Sequence, residues 1–283
     1  MILGPWEAKV LNGGQFRLDG GAMFGTVPKA VWQRLLPADA DNTIPMAANC
    51  LLLRGEVGGR RRTVLVDTGN GGKETEAFMA RFHLEGRDVL ERSLAGEGVR
   101  PEDVDLVVLT HLHFDHAGGG TRLAPGGNAV PAFPNARYVL QRRDLENARS
   151  AGPRERASYL PWNWEPLEAA GLLDIVEGEQ ELRPGLRVRP APGHTPGLQM
   201  VLVEGGGRRL VFPADLIPTS RHIQPAWVMG YDLDVVACIE QRIKLLEEIT
   251  GTDAVLVFEH DRDVPAGRVV LENGKYRVVP VPL

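Results

Sequence analysis

Cysteine is scarce in this chain: among 283 residues only Cys50 and Cys238 occur. That excludes a disulfide-framed secreted scaffold, which needs several bridges. Both cysteines lie in apolar stretches and read as buried thiols of a reducing compartment, with a disulfide between them left open. Long apolar runs are also missing, and none approaches the ~18 residues of a membrane span. The start, Met1 to Trp6, lacks a basic region followed by an apolar core. No secretory signal is therefore expected, and the cytoplasm is the expected location. Basic blocks are absent as well. The net charge is −5 and Arg60-Arg61-Arg62 is a short run ahead of a strand. A nucleic-acid partner leaves a basic footprint that this chain does not have. Gly-x-Ser-x-Gly does not occur, so a strand-to-helix nucleophilic serine is not expected. Low-complexity segments and short-period repeats are lacking too.

Histidine is not abundant either, with seven in the chain, yet three of them stand in His111-Leu112-His113-Phe114-Asp115-His116. The apolar run Leu106-Val107-Val108-Leu109 before them reads as a buried strand, being short, continuous and branched. A strand that ends in His-x-His-x-Asp-His places three imidazoles and a carboxylate in one small volume. A loop His-x-His alone is compatible with a solvated loop. Four ligand types at this spacing point instead to zinc or a similar divalent metal.

The remaining pattern alternates strands and helices. Strands are expected over 8–18, 48–54, 63–66, 105–109, 136–140, 174–177, 186–190, 199–203, 208–212 and 255–258. Helices are expected over 73–83, 87–97 and 233–249. In the last, Leu233, Val236, Ile239, Ile243 and Leu246 share one side, with Asp232 as N-cap and Gly251 as stop. Residues 144–172 read as a long irregular insertion, and 19–47 as an N-terminal loop region. Val269–Leu271 and Arg277–Val279 around Asn273-Gly274 read as a hairpin. Two strand-rich halves suggest an α/β chain of one domain over 1–283, with sheets packed face to face under outer helices.

Three single ligands complete the candidate set. His194 lies in the turn-rich Pro192-Gly193-His194-Thr195-Pro196-Gly197. Asp215 follows the apolar Leu210-Val211-Phe212 and needs a partner, because an isolated buried charge is costly. His260 ends Val255-Leu256-Val257-Phe258-Glu259.

This order of residues, with Asp67-Thr68-Gly69 before the cluster, resembles the metallo-β-lactamase-fold hydrolases over residues 48–261. The resemblance implies an αββα sandwich with a dinuclear metal site between its sheets. His111, His113 and His194 would hold one metal, Asp115, His116 and His260 the second, and Asp215 both. Asp67 would orient a ligand from behind. Two divalent ions are implied, with zinc foremost and manganese, iron or cobalt compatible. A metal-bridging hydroxide would be the nucleophile, and Asp115 would move a proton.

Asp19-Gly20-Gly21-Ala22-Met23-Phe24-Gly25 and Asp215-Leu216-Ile217-Pro218-Thr219 resemble the acyl-homoserine-lactone (quorum-quenching) lactonase branch. Its lactonases carry a tyrosine three residues after the bridging aspartate, where this chain has Pro218. His222 is a candidate replacement donor, with a surface or dimer contact as the other reading. Met23, Phe24, Trp162, Trp164, Trp227 and Met229 are candidates for an apolar pocket or for ordinary core and dimer contacts. The expectation is a lactone and ester hydrolase acting on a small molecule, with a homodimer contact through 19–47. A phosphotriesterase or arylesterase and a glyoxalase II-like thioesterase are the alternatives on the same site. A nuclease, an oxidoreductase and a non-catalytic binding protein are disfavoured.

Overall fold

The structure is a computed structural model that describes residues 1–283. Strands β1 (Ile2–Leu3), β2 (Trp6–Asp19), β3 (Thr43–Val57), β4 (Arg60–Val66) and β5 (Leu106–Val108) begin the first sheet. After a small hairpin, β6 (Thr121–Leu123) and β7 (Ala129–Pro131), β8 (Arg137–Gln141) and β9 (Leu173–Val176) complete it in the order β1-β2-β3-β4-β5-β8-β9. The second sheet is consecutive: β10 (Gln180–Arg183), β11 (Leu186–Pro190), β12 (Gln199–Gly205), β13 (Arg208–Phe212), β14 (Val255–Val257), β15 (Ala266–Glu272) and β16 (Lys275–Pro280). Helices are α1 (Gly20–Phe24), α2 (Lys29–Trp32), α3 (Glu76–Phe82), α4 (Val89–Gly96), α5 (Phe114–Ala117), α6 (Arg142–Arg149), α7 (Glu165–Ala169) and α8 (Val235–Ile249). None is long and apolar enough to cross a membrane.

Period-two alternation builds the layers. Leu51, Leu53, Val64, Val66, Leu106 and Val108 point into the core shared with β12, β13 and β14. Their neighbours Leu52, Leu65 and Val107 point the other way, under Leu90 and Leu94 of α4 and Leu145 of α6. Leu245, Leu246 and Ile249 of α8 join the shared core. Each fully buried Leu or Val side chain contributes roughly 1.5–3 kcal/mol, which is why the sheets meet as they do. The αββα sandwich expected from the resemblance is the observed fold.

Both sheets are mixed: β4–β5, β5–β8 and β8–β9 run parallel in the first, and β13–β14 in the second. The carboxyl ends of a parallel pair lie side by side. Asp67 and the His111–His116 cluster therefore emerge together, as do Asp215 and His260. Ligand sites in α/β sheets gather at strand carboxyl ends for this reason.

Several expectations are corrected. The 19–47 region is not a loop. Asp19 caps α1 by accepting from Ala22 N at 2.7 Å, and β3 already starts at Thr43. Met23 and Phe24 are buried with Phe16, Trp32, Ile44, Met46 and Met229, so they are not offered to a partner. The 144–172 stretch holds α6, α7 and a turn of 3₁₀ helix. Its first helix, Arg-Arg-Asp-Leu-Glu-Asn-Ala-Arg, has too few apolar positions to show a period. Strand β10, half solvated at an edge, was invisible for the same reason. Helix α8 starts later than expected, and Asp234 rather than Asp232 caps it by accepting from Ala237 N at 3.0 Å. Its buried face is Cys238, Arg242, Leu245, Leu246 and Ile249, which leaves Val236 66% and Ile243 37% exposed. The buried Arg242 guanidinium, donating to the carbonyls of Leu216 and Trp227, turns the helix away from the purely apolar stripe. Gly251 ends the helix at φ +78°, and Asn273 and Gly274 take the two positive φ values of a type I′ hairpin. Cys50 and Cys238 are both free.

A closed ring of alternating charges fastens α8 to the second sheet. Glu179 meets Arg187 (3.0 Å), Arg187 meets Glu204 (2.8 Å) and Glu204 meets Arg209 (2.5 Å). Arg209 meets Glu248 (2.7 Å), Glu248 meets Arg189 (2.7 Å), and Arg189 returns to Glu179 (3.4 Å). Networks outperform isolated surface pairs, though salt screens them. The Glu248 carboxyl is held below its ordinary value by its hydrogen bond from Arg189, against some burial and with help from Arg209. A lowered folded-state value adds stability above the ordinary carboxylate pKa, lost as pH falls through the lowered one. Glu248→Gln is expected to lower Tm by about 2–4 °C at pH 7 and low salt. The gap should persist to about pH 5 and close below about pH 4. Calorimetry across pH and ionic strength checks this, and a gap unchanged at pH 3 would speak against the ring.

Candidate metal centre

All seven candidate ligands converge. His111, His113, His194 and Asp215 bring one donor atom each within 4.8 Å of one another, and so do Asp115, His116 and His260. Asp215 lies between the groups. Its Oδ2 is 3.0 Å from His194 Nε2 and its Oδ1 is 2.9 Å from His260 Nε2. Asp115 approaches His260 Nε2 at 3.7 Å and His116 Nε2 at 3.9 Å. The six partners of Asp215 are nearly closed to solvent, with His113 and Asp115 each 7% exposed.

Several donor atoms make sense only toward a cation. His111 Nε2, buried, has no hydrogen-bond partner, and Asp215 Oδ1 has none of good geometry. His113 Nδ1 stands 3.1 Å from His194 Nε2, and His116 Nε2 stands 3.2 Å from His260 Nε2. Ring nitrogens this close repel unless a proton or a metal lies between them. Imidazole and carboxylate donors in this arrangement fit two adjoining divalent ions that share a carboxylate.

The electrostatics agree. Burial, and then the neighbouring imidazoles, push His111 and His113 well below the ordinary histidine value, so both are neutral donors. Burial opposes charge on His194, but the Asp215 and Asp232 carboxylates outweigh it and raise the group to about 10. Burial also disfavours the Asp215 carboxylate, yet His260, His194 and His116 hold its pKa far below the usual range. Asp215 thus favours positive charge on the imidazoles around it, a role that a bound divalent cation would fill in place of protons.

Behind the ligands stands a layer of acceptors that fixes ring orientation. His194 Nδ1 is 2.9 Å from Asp232 Oδ1, and His260 Nδ1 is 2.7 Å from the Ala47 carbonyl. His116 Nδ1 bonds Asp67 Oδ2 at 3.0 Å, while Glu259 Oε2 lies 2.9 Å away without a hydrogen bond to it. Burial and then the Asp67 charge push Glu259 well above the ordinary carboxyl value. Asp67 also accepts from Thr110 N at 2.7 Å and Thr110 Oγ1 at 2.6 Å, tying the end of β4 to the start of the cluster. Asp67 and Ala214 hold positive φ, +53° and +49°. Such strain, about 1–3 kcal/mol each, persists where surrounding bonds enforce it. Gly118 lets the Asp67–Asn70 loop lie directly on the cluster, since a Cβ there would meet Asn70 O at 2.2 Å.

The family profile described as the metallo-beta-lactamase superfamily matches residues 43–260. The chain belongs to this superfamily. An N-acyl homoserine lactonase of Bacillus cereus is 28% identical over 239 residues, covering 80% of this chain and 86% of that protein. A probable metal-dependent hydrolase from Staphylococcus aureus superposes with a TM-score of 0.89 at 27% identity over 100% of both chains. AidC, a dizinc quorum-quenching lactonase in complex with a product, superposes at 0.80 and 23% identity over 100% of this chain and 97% of its own. That last likeness speaks to the fold.

The seven residues expected as ligands meet in one place, whereas several residues around them sit differently from expectation. His222 is neither a surface residue nor a free donor. It is fully buried, its Nε2 donates to Met23 O at 2.9 Å, and Thr219 Oγ1 donates to its Nδ1 at 2.7 Å. Burial and the Arg242 charge lower it to about 4, so it stays neutral. Phe24 stacks on it at 4.6 Å. Trp164 and Met229 are core residues, and Trp162 lies at the surface with its indole N–H on Glu74. Trp227 is half-buried and lines an open groove of about 800 Å³ with Ile223, Tyr276 and Val278.

Aromatic rings also flank the ligands: Tyr159 lies 4.7 Å from His113, and a cluster of phenylalanines surrounds Phe114. Phe78 and Phe82 of α3 pack on Phe114 at 5.1 and 4.9 Å. Phe16 lies 6.3 Å from Phe114 and 5.6 Å from His260. The i, i+4 spacing of Phe78 and Phe82 in a recognised helix was the available signal. Asp232 and Glu259 gave none, because their partners come from distant segments.

Removing Asp232 leaves His194 Nδ1 without an acceptor. Asp232→Ala is expected to weaken metal binding about 10–100-fold. Zinc competition against a chelator measures it, and unchanged affinity would show that Asp232 does not hold the ring.

Proposed function

We propose that this chain is a metal-dependent hydrolase that opens lactones and related esters. His111, His113 and His194 hold one divalent ion, Asp115, His116 and His260 hold the other, and Asp215 is shared. The observation that carries this reading is the Asp215 carboxylate, each oxygen about 3 Å from an imidazole of a different trio. Its weight is increased by the lactonase relative. Zinc suits the donor set, and manganese, iron and cobalt are compatible with it. When bound, the ions supply Lewis acidity and a deprotonated water at neutral pH.

The chain's own residues do the rest. Asp115 sits on the first turn of α5 at the solvent edge of the cluster, where its carboxylate can carry a proton to the departing alkoxide. Phe78 and Phe82 pack on Phe114, the residue before Asp115, and these rings receive the apolar part of the substrate. Pro218, standing where lactonases carry a tyrosine, accepts from His260 N at 2.9 Å through its carbonyl. It therefore braces the loop between two ligands and offers no side-chain donor. His222, spent on internal bonds, does not replace that donor.

Three outcomes are expected. Elemental analysis of protein reconstituted with zinc should approach two ions per chain, and a stoichiometry of one or less sinks the dinuclear claim. Asp115→Asn should reduce kcat by about 10²–10⁴ while the fold survives. Near-normal turnover would remove Asp115 from the mechanism. A lactone with a medium acyl chain should exceed bare γ-butyrolactone in kcat/KM, since each buried methylene contributes up to about 0.8 kcal/mol. Phe82→Ala should narrow that preference. If aryl esters or paraoxon turn over and no lactone does, the lactonase reading gives way to an arylesterase or phosphotriesterase.

A further inference from the structure

We propose that Asp144, on α6 and outside the ligand set, is a positioning residue that assembles the His111–His113–His194 trio before metal arrives. The proposal rests on the dinuclear reading above. Asp144 is completely buried. Its Oδ2 accepts from Leu112 N at 2.9 Å, and its Oδ1 accepts from Thr195 Oγ1 at 2.6 Å. Leu112 stands between His111 and His113, and Thr195 directly follows His194. One carboxylate thus bonds both segments that carry the three imidazoles. One segment leaves the first sheet after β5, and the other enters the second before β12.

The surroundings leave this junction little play. A Cβ on Gly197 would lie 2.1 Å from Asp144 N, so the His194 loop rests directly on the start of α6. Three residues earlier, Gln141 Nε2 donates to Gln199 Oε1 at 2.9 Å, and Gln199 Nε2 donates to Leu109 O at 2.8 Å. The same two segments are thereby tied twice, by directional bonds rather than apolar contact. Direction matters because His113 Nδ1 and His194 Nε2 face each other at 3.1 Å. Two imidazole lone pairs do not stay so close unaided, and metal ligands must be held within about 0.5 Å of the productive geometry. The other trio does not depend on Asp144: Asp67 orients His116 and the Ala47 carbonyl orients His260.

The consequence is selective. Asp144→Ala should weaken one of the two metal sites about 10–100-fold and leave the other near wild type. The probe is cobalt(II) added to chelator-treated protein and followed by its visible absorption, with zinc–chelator competition for the affinities. Wild type should bind two equivalents tightly, and Asp144→Ala one tight and one weak. Asp144→Asn should recover most of the loss. Its carboxamide oxygen can accept from Leu112 N–H, while its NH₂ can donate to Thr195 Oγ1. Thr195→Val, which keeps the carboxylate, should fall between and serves if Asp144→Ala does not fold. Two tight equivalents in Asp144→Ala, equal loss at both sites, or no rescue by Asn would each overturn the proposal. A wild-type chain that binds a single ion overturns the dinuclear reading instead. Asp144 then stands or falls on whether Asp144→Ala weakens that ion.

Discussion

A buried negative charge between two sheets, the carboxylate of Asp215, sets the conditions that the rest of the structure meets. An unpaired charge in that position is strongly unfavourable. It is tolerated because imidazoles from three separate segments surround it, His194 and His260 at about 3 Å and His116 at 3.5 Å. Those segments converge only if each sheet delivers a parallel strand pair with its carboxyl ends at one edge. The β4–β5 and β13–β14 pairs do so. The long antiparallel hairpin of β2 and β3 and the sequentially ordered strands of the second sheet supply the apolar mass that presses those edges together.

Apolar packing sets the distance between the sheets but not the angle of a ring. Rings are aimed by directional bonds from partners far away in sequence: Asp232 to His194, Asp67 to His116, the Ala47 carbonyl to His260. The same layer explains the strained φ of Asp67, which three hydrogen-bond donors hold in place. It also explains the close backbone contact at Gly118. These partners act on ring angle, and the apolar contacts between the sheets do not include them.

Much of the architecture was legible because its signals are local. Leu106 to Leu109 followed by the histidine cluster, Asn273-Gly274 between two strands, and Gly251 past α8 each carry their meaning within a few residues. The errors fell where tertiary contacts override a pattern. Val236 and Ile243 belong to an apolar stripe that faces solvent, because Arg242 is buried to hold loop carbonyls. Met23 and Phe24 sit in a glycine-rich stretch that resembles a surface loop, yet Asp19 turns it into a helix packed under His222 and Trp32.

By itself, the sequence determined the candidate ligand residues and their order, the strand ends that bear them and the superfamily they resemble. These follow from residue chemistry and short-range periodicity, which a linear chain displays directly. The tertiary structure alone decided which carboxylate faces which imidazole, that His222 is a neutral brace, and that Phe78 and Phe82 pack on Phe114. It likewise decided that Asp144 joins two ligand-bearing segments 83 residues apart, Leu112 and Thr195. Such contacts depend on how two sheets close on one another, and no local pattern encodes the distance between residues that only the closed sandwich brings together.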